Sequence, residues 1–221
     1  MGEPVFKLAK LIEEHGIVVF SSNYALYGDM SHRVMTILSL FVEDMEIYSI
    51  DESFLSLKGF DNYNLKEYGS TIVRTVTKGT GIPVSMGIAP TKTLAKMASK
   101  YAKKYKGYNG VCAIDNEEKR IKALKQFDIG DVWGIGSRYR KKLEYYDVKT
   151  AFDFTQKSES WVRKMMTVVG VRTWKELRGI PSIELEKVAS DKQTICTSRS
   201  FGELIEDFDT LMESVANFTA S

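Results

Sequence analysis

Between residues 47 and 114 strand-length apolar runs alternate with helix-length amphipathic segments, and after residue 115 the strand signals stop. That order leaves few folds open. Ile47, Tyr48 and Ile50 lead into Asp51 and Glu52, and Phe54, Leu55 and Leu57 lead out, so residues 46–57 read as a β-hairpin. Leu65, Tyr68, Ile72, Val73 and Val76 then recur at helical spacing. "PVSMGIA" (83–89) reads as a strand, Thr91 begins a helix that runs to about Tyr105, Asn109–Gly110 is a turn, and "VCAI" (111–114) is a last short strand. Hairpin, helix, strand, helix, strand predicts an α+β sheet with helices packed on it.

The flanks read differently. Pro4 to Glu14 predicts a helix with Phe6, Leu8, Leu11 and Ile12 apolar and Gly16 as its stop. "IVVF" (17–20) predicts a short buried strand, and Tyr24 to Val42 a helix. Beyond the sheet, residues 117–126, 137–146, 159–167 and 172–178 are helical pieces separated by Gly-containing turns, which predicts a separate small helical domain. A strand signal returns in "TICTSRSFGE" (194–203), followed by a turn or two of helix. Two such elements cannot bury a core alone, so the expectation is a chain that ends inside a further domain.

Bulk composition excludes more than it specifies. With 221 residues, 43% of them apolar, the chain can build one large or two small cores. A formal net charge of +2 announces no nucleic-acid or membrane partner, so local charge must carry that argument. Cys112 and Cys196 form no CxxC, and no secretory leader is read, so a reduced cytosolic compartment is expected. No apolar run approaches the roughly 20 residues that span a bilayer. His15 and His32 are the only histidines, which excludes a His-rich metal cage and argues against Ser-His-Asp or Cys-His catalysis.

Three constellations carry candidate chemistry. Asp51 and Glu52 read either as the polar turn of the hairpin or as a pair that brings two carboxylates to one hard cation such as Mg²⁺. In the helix from 91 to 106, Lys92, Lys96, Lys100 and Lys104 fall four residues apart on one face, with Lys103 and Lys106 beside them and Leu94, Ala98, Tyr101 and Tyr105 opposite. That face is either solvated or, next to a metal-holding pair, placed to neutralise phosphates. In "DVWGIGSRYRKKL" (131–143), Gly134 and Gly136 open a helix bearing Arg138, Arg140, Lys141 and Lys142. Tyr139 stands where a dinucleotide fingerprint needs glycine, and no Walker loop is present. The remaining readings are a plain helical corner and a helix–hairpin–helix turn whose amides grip a nucleic-acid phosphate. "VVGVRTWKELRG" (168–179), with Gly170, Arg172, Lys175 and Arg178, reads as a looser second copy.

Together "FSSNYALYGDMSHRV", "EIYSIDESF", "GIAPTKTLAKMASKYAKK", "DVWGIGSRYRKKL" and "SRSFGE" resemble the Y-family lesion-bypass DNA polymerases, and within them the UmuC-type ImpB/MucB/SamB group. The resemblance runs in family order over nearly the whole chain. It implies a remnant of the fingers in 1–22, an incomplete ferredoxin-like palm in 23–115, a helical thumb with helix–hairpin–helix-like turns in 116–190, and the start of a little finger in 191–221. It implies that Asp51 and Glu52 are catalytic acids at a two-metal Mg²⁺ site and that Lys103 contacts the incoming triphosphate. It implies that the Gly134–Gly136 turn holds the DNA backbone, and the helix–hairpin–helix reading adds Arg138, Arg140, Lys141, Gly170 and Arg172 to that grip.

The implied reaction is attack of a primer 3′-OH on a dNTP along a template, in an error-prone repair response. The implied partners are primer–template DNA, dNTP, a UmuD-type accessory subunit, a recombinase filament and a sliding clamp. The implied location is cytoplasmic and nucleoid-associated. Family members begin with a strand that carries another metal-binding Asp and an aromatic gate. This sequence opens past it, so the expectation is a fragment inactive by itself. Two other readings remain: a non-catalytic protein that binds or scaffolds DNA backbone, and, more remotely, a nucleotide cyclase on a similar palm.

Overall fold

The computed structural model describes residues 3–186, 194, 196, 201, 202 and 204–220. Residues 1–187 form one compact unit and residues 188–221 a second. In the first unit the elements run α1 (Ala9–His15), α2 (Tyr24–Ser39), β1 (Met45–Ile47), β2 (Ser53–Leu55), α3 (Leu65–Thr80), β3 (Met86–Ile88), α4 (Lys92–Lys104) and β4 (Val111–Ala113). They continue with α5 (Glu117–Gln126), α6 (Ser137–Tyr145), α7 (Ala151–Thr155) and α8 (Glu159–Leu177). The second unit carries α9 (Phe208–Thr219), which begins at the side-chain cap of Asp207 on the Thr210 N–H.

Local chemistry sets most of these boundaries. Asn23, Asn64, Thr91, Asn116 and Ser158 each turn a side-chain oxygen onto an amide in the first turn of the helix that follows. α3 stops at Gly81, whose φ of +75° favours glycine. β3, α4 and β4 make a βαβ unit in which β3 and β4 pair in parallel, Met86 opposite Val111 and Ile88 opposite Ala113. β3 lies directly on α4: a Cβ built on Gly87 would stand 2.0 Å from the Ala95 carbonyl oxygen and 2.2 Å from the Ser99 nitrogen. α4 is the shared wall. Leu94, Met97, Ala98, Tyr101 and Ala102 on its buried face join one core with Cys112 of β4 and with Leu124, Phe127, Leu143, Phe154, Val162 and Leu177 of the helical segment.

β1 and β2 pair only with each other, antiparallel, with Glu46 opposite Phe54. Among the described residues the two pairs remain separate ladders. β2 and β3 both line the cleft between them, which has a volume of about 1660 Å³. The sheet expected from the strand order is thus present as two halves.

Several expectations are corrected. "IVVF" is no strand; Ile17, Val18, Val19 and Phe20 are exposed, and no strand among the described residues supplies a ladder for them. The first helix splits into a 3₁₀ turn, Val5–Leu8, and α1, and neither buries a residue. The pieces 159–167 and 172–178 belong to one run, α8, broken at Thr167 with φ 64° and ψ −163°. The second turn therefore falls at Thr167, and Gly170 sits inside the helix against the Met166 side chain. α7 was not foreseen. It starts at a capping box between Thr150 and Asp153. Most of the strand signal at 194–203 lies outside the described residues.

Candidate active site

The acid pair sits in the five-residue loop, 48–52, between β1 and β2. The Tyr48 and Ser49 N–H groups both donate to the Glu52 carbonyl, each at 3.0 Å, and close the loop. Asp51 is exposed and lines the cleft; the Ser49 hydroxyl donates to its Oδ1 at 2.7 Å. Its Oδ2 has no partner among the described residues. Glu52 is engaged, because Lys96 of α4 donates to both of its carboxylate oxygens at 2.9 Å.

Three of the four lysines of the α4 ladder are matched by acids. Lys92 pairs with Glu46 in a nearly buried contact, side chains 10% and 8% exposed, and donates as well to the Glu184 carbonyl at 2.7 Å. Lys100 meets Asp131 at 2.7 Å. Lys104 lies over the Tyr105 ring. Tyr105 itself is exposed, so the buried stripe of α4 runs through Met97 and Ala102 instead. The ladder bolts α4 to the hairpin and to the loop before the first glycine turn. Lys103, one step round the helix, is exposed, lines the cleft and has no ion-pair partner among the described residues.

At the first glycine turn the left-handed residue is Gly134, φ +87°, while Gly136, φ −79°, is the N-cap of α6 and provides no side-chain cap. The first amides of α6 are therefore uncapped, at the positive end of the helix dipole. Arg138 and Lys141 are exposed and unpaired among the described residues. Arg140 is committed to Glu144 at 2.7 Å and to Asp128 at 3.3 Å, and its guanidinium pKa is pushed further up, by the hydrogen bond to Glu144 first and then by the Asp128 charge. In α8, Arg172 is exposed and Gly170 buried.

Four participants escaped the sequence reading. Glu46 points inward while Ile47 is 61% exposed, the reverse of what hydropathy dictates. Tyr48 and Trp133 join the hairpin to the glycine turn, the indole N–H donating to the Tyr48 hydroxyl at 3.1 Å. Glu176, fully buried, accepts from the Thr93, Ser182 and Ile183 amides at 3.0, 2.7 and 3.1 Å. No short-range pattern announces such long-range contacts.

The donor set suits a hard divalent cation only in part. Carboxylate oxygens are the right ligands, and Asp51 keeps one free. Both Glu52 oxygens already accept from Lys96, so a cation there would compete with the ammonium for them. Among the described residues no group of three His, Cys, Asp or Glu side chains gathers anywhere.

Residues 1–100 match the model of the impB/mucB/samB family. Protein UmuC of Salmonella typhimurium is 45% identical over 221 residues, a match covering 99% of this chain and 52% of that protein. MucB of Escherichia coli is 37% identical, with 100% of this chain and 53% of the relative covered. DNA polymerase IV of Corynebacterium diphtheriae is 30% identical over 194 residues, covering 86% of this chain and 42% of that enzyme. The chain thus spans about half the length of the curated relatives it matches. Among solved structures, the insertion ternary complex of Dbh DNA polymerase superposes with a TM-score of 0.71 at 23% identity, over 84% of this chain and 53% of that one. DinB from Sulfolobus solfataricus superposes at 0.69 with 23% identity, over 84% of this chain and 54% of the other.

Proposed function

Because the chain belongs to the impB/mucB/samB family, we propose that it supplies the acid-pair and duplex-holding parts of a lesion-bypass DNA polymerase. In this reading residues 23–115 are the palm, 116–190 the thumb, 191–221 the start of the little finger, and 1–22 the end of the fingers. The observation that carries it is one cleft lined by Asp51, Glu52 and Lys103, with the hairpin of the acid pair joined through Tyr48 to the Trp133–Gly136 turn.

Asp51 would hold a divalent cation through its free oxygen, and Glu52 would be its second carboxylate ligand. When bound, Mg²⁺ would stabilise the negative charge that develops in a phosphoryl transfer. Lys103, unpaired and facing the cleft, balances the charge of the incoming triphosphate. The uncapped amides of α6, with Arg138 and Lys141, hold duplex phosphates without reading sequence. Arg172 adds a second phosphate contact from α8. Catalysis by such a set is positioning and charge neutralisation rather than covalent chemistry.

Primer extension by a full-length polypeptide carrying these residues tests the reading. Asp51→Asn is expected to abolish extension, and Lys103→Met to raise the KM for dNTP. Extension that survives Asp51→Asn overturns it. A second reading, a non-catalytic grip on DNA backbone, is favoured by the Lys96 hold on Glu52. Duplex binding with no extension by the full-length polypeptide decides for it.

A further inference from the structure

We propose that Lys96 is the positioning residue of the acid pair: it fixes Glu52, ties the acid loop to the glycine turn, and competes with a divalent cation for the Glu52 carboxylate. The competition rests on the metal reading above; the positioning does not. The Lys96 ammonium lies in the corner between two nearly perpendicular rings, 4.8 Å from the Tyr48 centroid and 5.4 Å from that of Trp133. Those rings are 5.5 Å apart and are linked by the indole N–H to phenol oxygen bond. Phe54 closes the group, 5.6 Å from each of them.

This surrounding decides which partner Lys96 can take. Ring faces attract a cation but leave its remaining N–H bonds to be satisfied by a carboxylate. Both Glu52 oxygens fill that role, and the Lys96 side chain is only 23% exposed. A lysine on a solvated helix face swings freely; this one is held by an aromatic corner built from two distant loops. Glu52 is therefore directed toward α4, while Asp51, its neighbour, is held by Ser49 alone among the described residues. A cation that recruits Glu52 meets an ammonium already placed on both of its oxygens. Because Trp133 adjoins Gly134, a shift of the glycine turn moves one wall of the corner.

The whole chain, free of metal and with ¹³C-labelled lysine, gives the direct test. The Lys96 ε-methylene signal is expected upfield of the other lysines through the ring currents of Tyr48 and Trp133, to lose part of that shift in Trp133→Phe, and to move in Glu52→Gln. A Lys96 signal at the ordinary lysine position, or one indifferent to both substitutions, overturns the positioning role. Titration of the same chain with Mn²⁺, read by the free-ion paramagnetic resonance signal, tests the competition. Lys96→Met is expected to bind roughly fivefold tighter, the scale of one partly exposed ion pair. Lys96→Arg should restore the wild-type value, and adding Glu52→Gln to Lys96→Met should erase the gain. Where Lys96→Met does not fold, Lys96→Gln replaces it. An unchanged affinity in Lys96→Met, with Asp51→Asn still weakening binding, overturns the competition. Binding indifferent to Asp51→Asn instead overturns the metal assignment itself, and the competition with it, leaving the positioning role to the metal-free spectrum.

Discussion

The Thr93 amide, in the first turn of α4, donates to the carboxylate of Glu176, 83 residues further along, at 3.0 Å. Thr91 answers with its hydroxyl on the Glu176 carbonyl at 2.9 Å. One buried acid thus caps α4 from α8 and, with its other oxygen, holds the amides of Ser182 and Ile183. No basic side chain pairs with it among the described residues. The helix dipole and three amides stabilise the charge instead.

Replacing Glu176 with Ala orphans three buried or half-buried N–H groups. The expected loss of unfolding free energy is about 4 kcal/mol, since each such group costs ~1–3 kcal/mol. Glu176→Gln keeps one accepting oxygen and is expected to lose roughly half as much. Urea denaturation followed by circular dichroism measures both. Equal losses for the two variants contradict the capping role.

Gly87→Ala is expected to destabilise the βαβ unit by about 3 kcal/mol, the upper end for an added core methyl. The new Cβ meets α4 backbone, which has no flexible tip to swing aside. Gly107, with open space around its Cβ position, is the matched control. Thermal melts that coincide for Gly87→Ala and the wild type count against the packing described.

The duplex grip is expected to depend on Arg138 and Lys141 and hardly at all on Arg140. Arg138→Glu with Lys141→Glu should lower the slope of log K against log salt by about one for each lost phosphate contact. Arg140→Gln loses a guanidinium already spoken for by Glu144 and Asp128. Fluorescence anisotropy with duplex DNA at several salt concentrations makes the comparison. A larger effect from Arg140→Gln than from the double reversal reverses the assignment.

Half-paired strands predict association. β2 and β3 each present one unpaired edge to the cleft, and Val18 and Phe20 are 70% and 83% exposed. Light scattering is expected to show an apparent mass that rises with concentration, and Val18→Lys with Phe20→Lys should reduce the rise. A constant monomer mass at high concentration contradicts this.

What the sequence could tell followed the range of the forces. α5 begins and ends at the residues expected, 117 and 126, because Asn116 caps it and two glutamates open its first turn. Asp51 and Glu52 were legible as a loop between strands because hydropathy alternates locally. The inward Glu46 was not, since Lys92, the reason for it, is 46 residues away. The same limit hid Trp133, Tyr48 and Glu176. "IVVF" misled because β-propensity states a preference that only a neighbouring strand can realise. Gly170 misled because glycine serves close helix packing as readily as a turn, and the break fell on Thr167.

Among the described residues the hairpin that carries the acid pair makes no backbone ladder with the rest of the sheet. It is moored to α4 by Lys92–Glu46 and Lys96–Glu52, one contact nearly dry and the other partly exposed on its Glu52 side. Two moorings so unlike respond differently to the solvent. Salt screens the outer one and hardly touches the inner. Ionic strength therefore acts on this molecule as a tuning screw: raising it loosens the tip of the hairpin at Glu52 while its root at Glu46 stays fixed. Amide exchange at residues 48–52 is expected to accelerate as salt is added, while exchange at 45–47 keeps its pace.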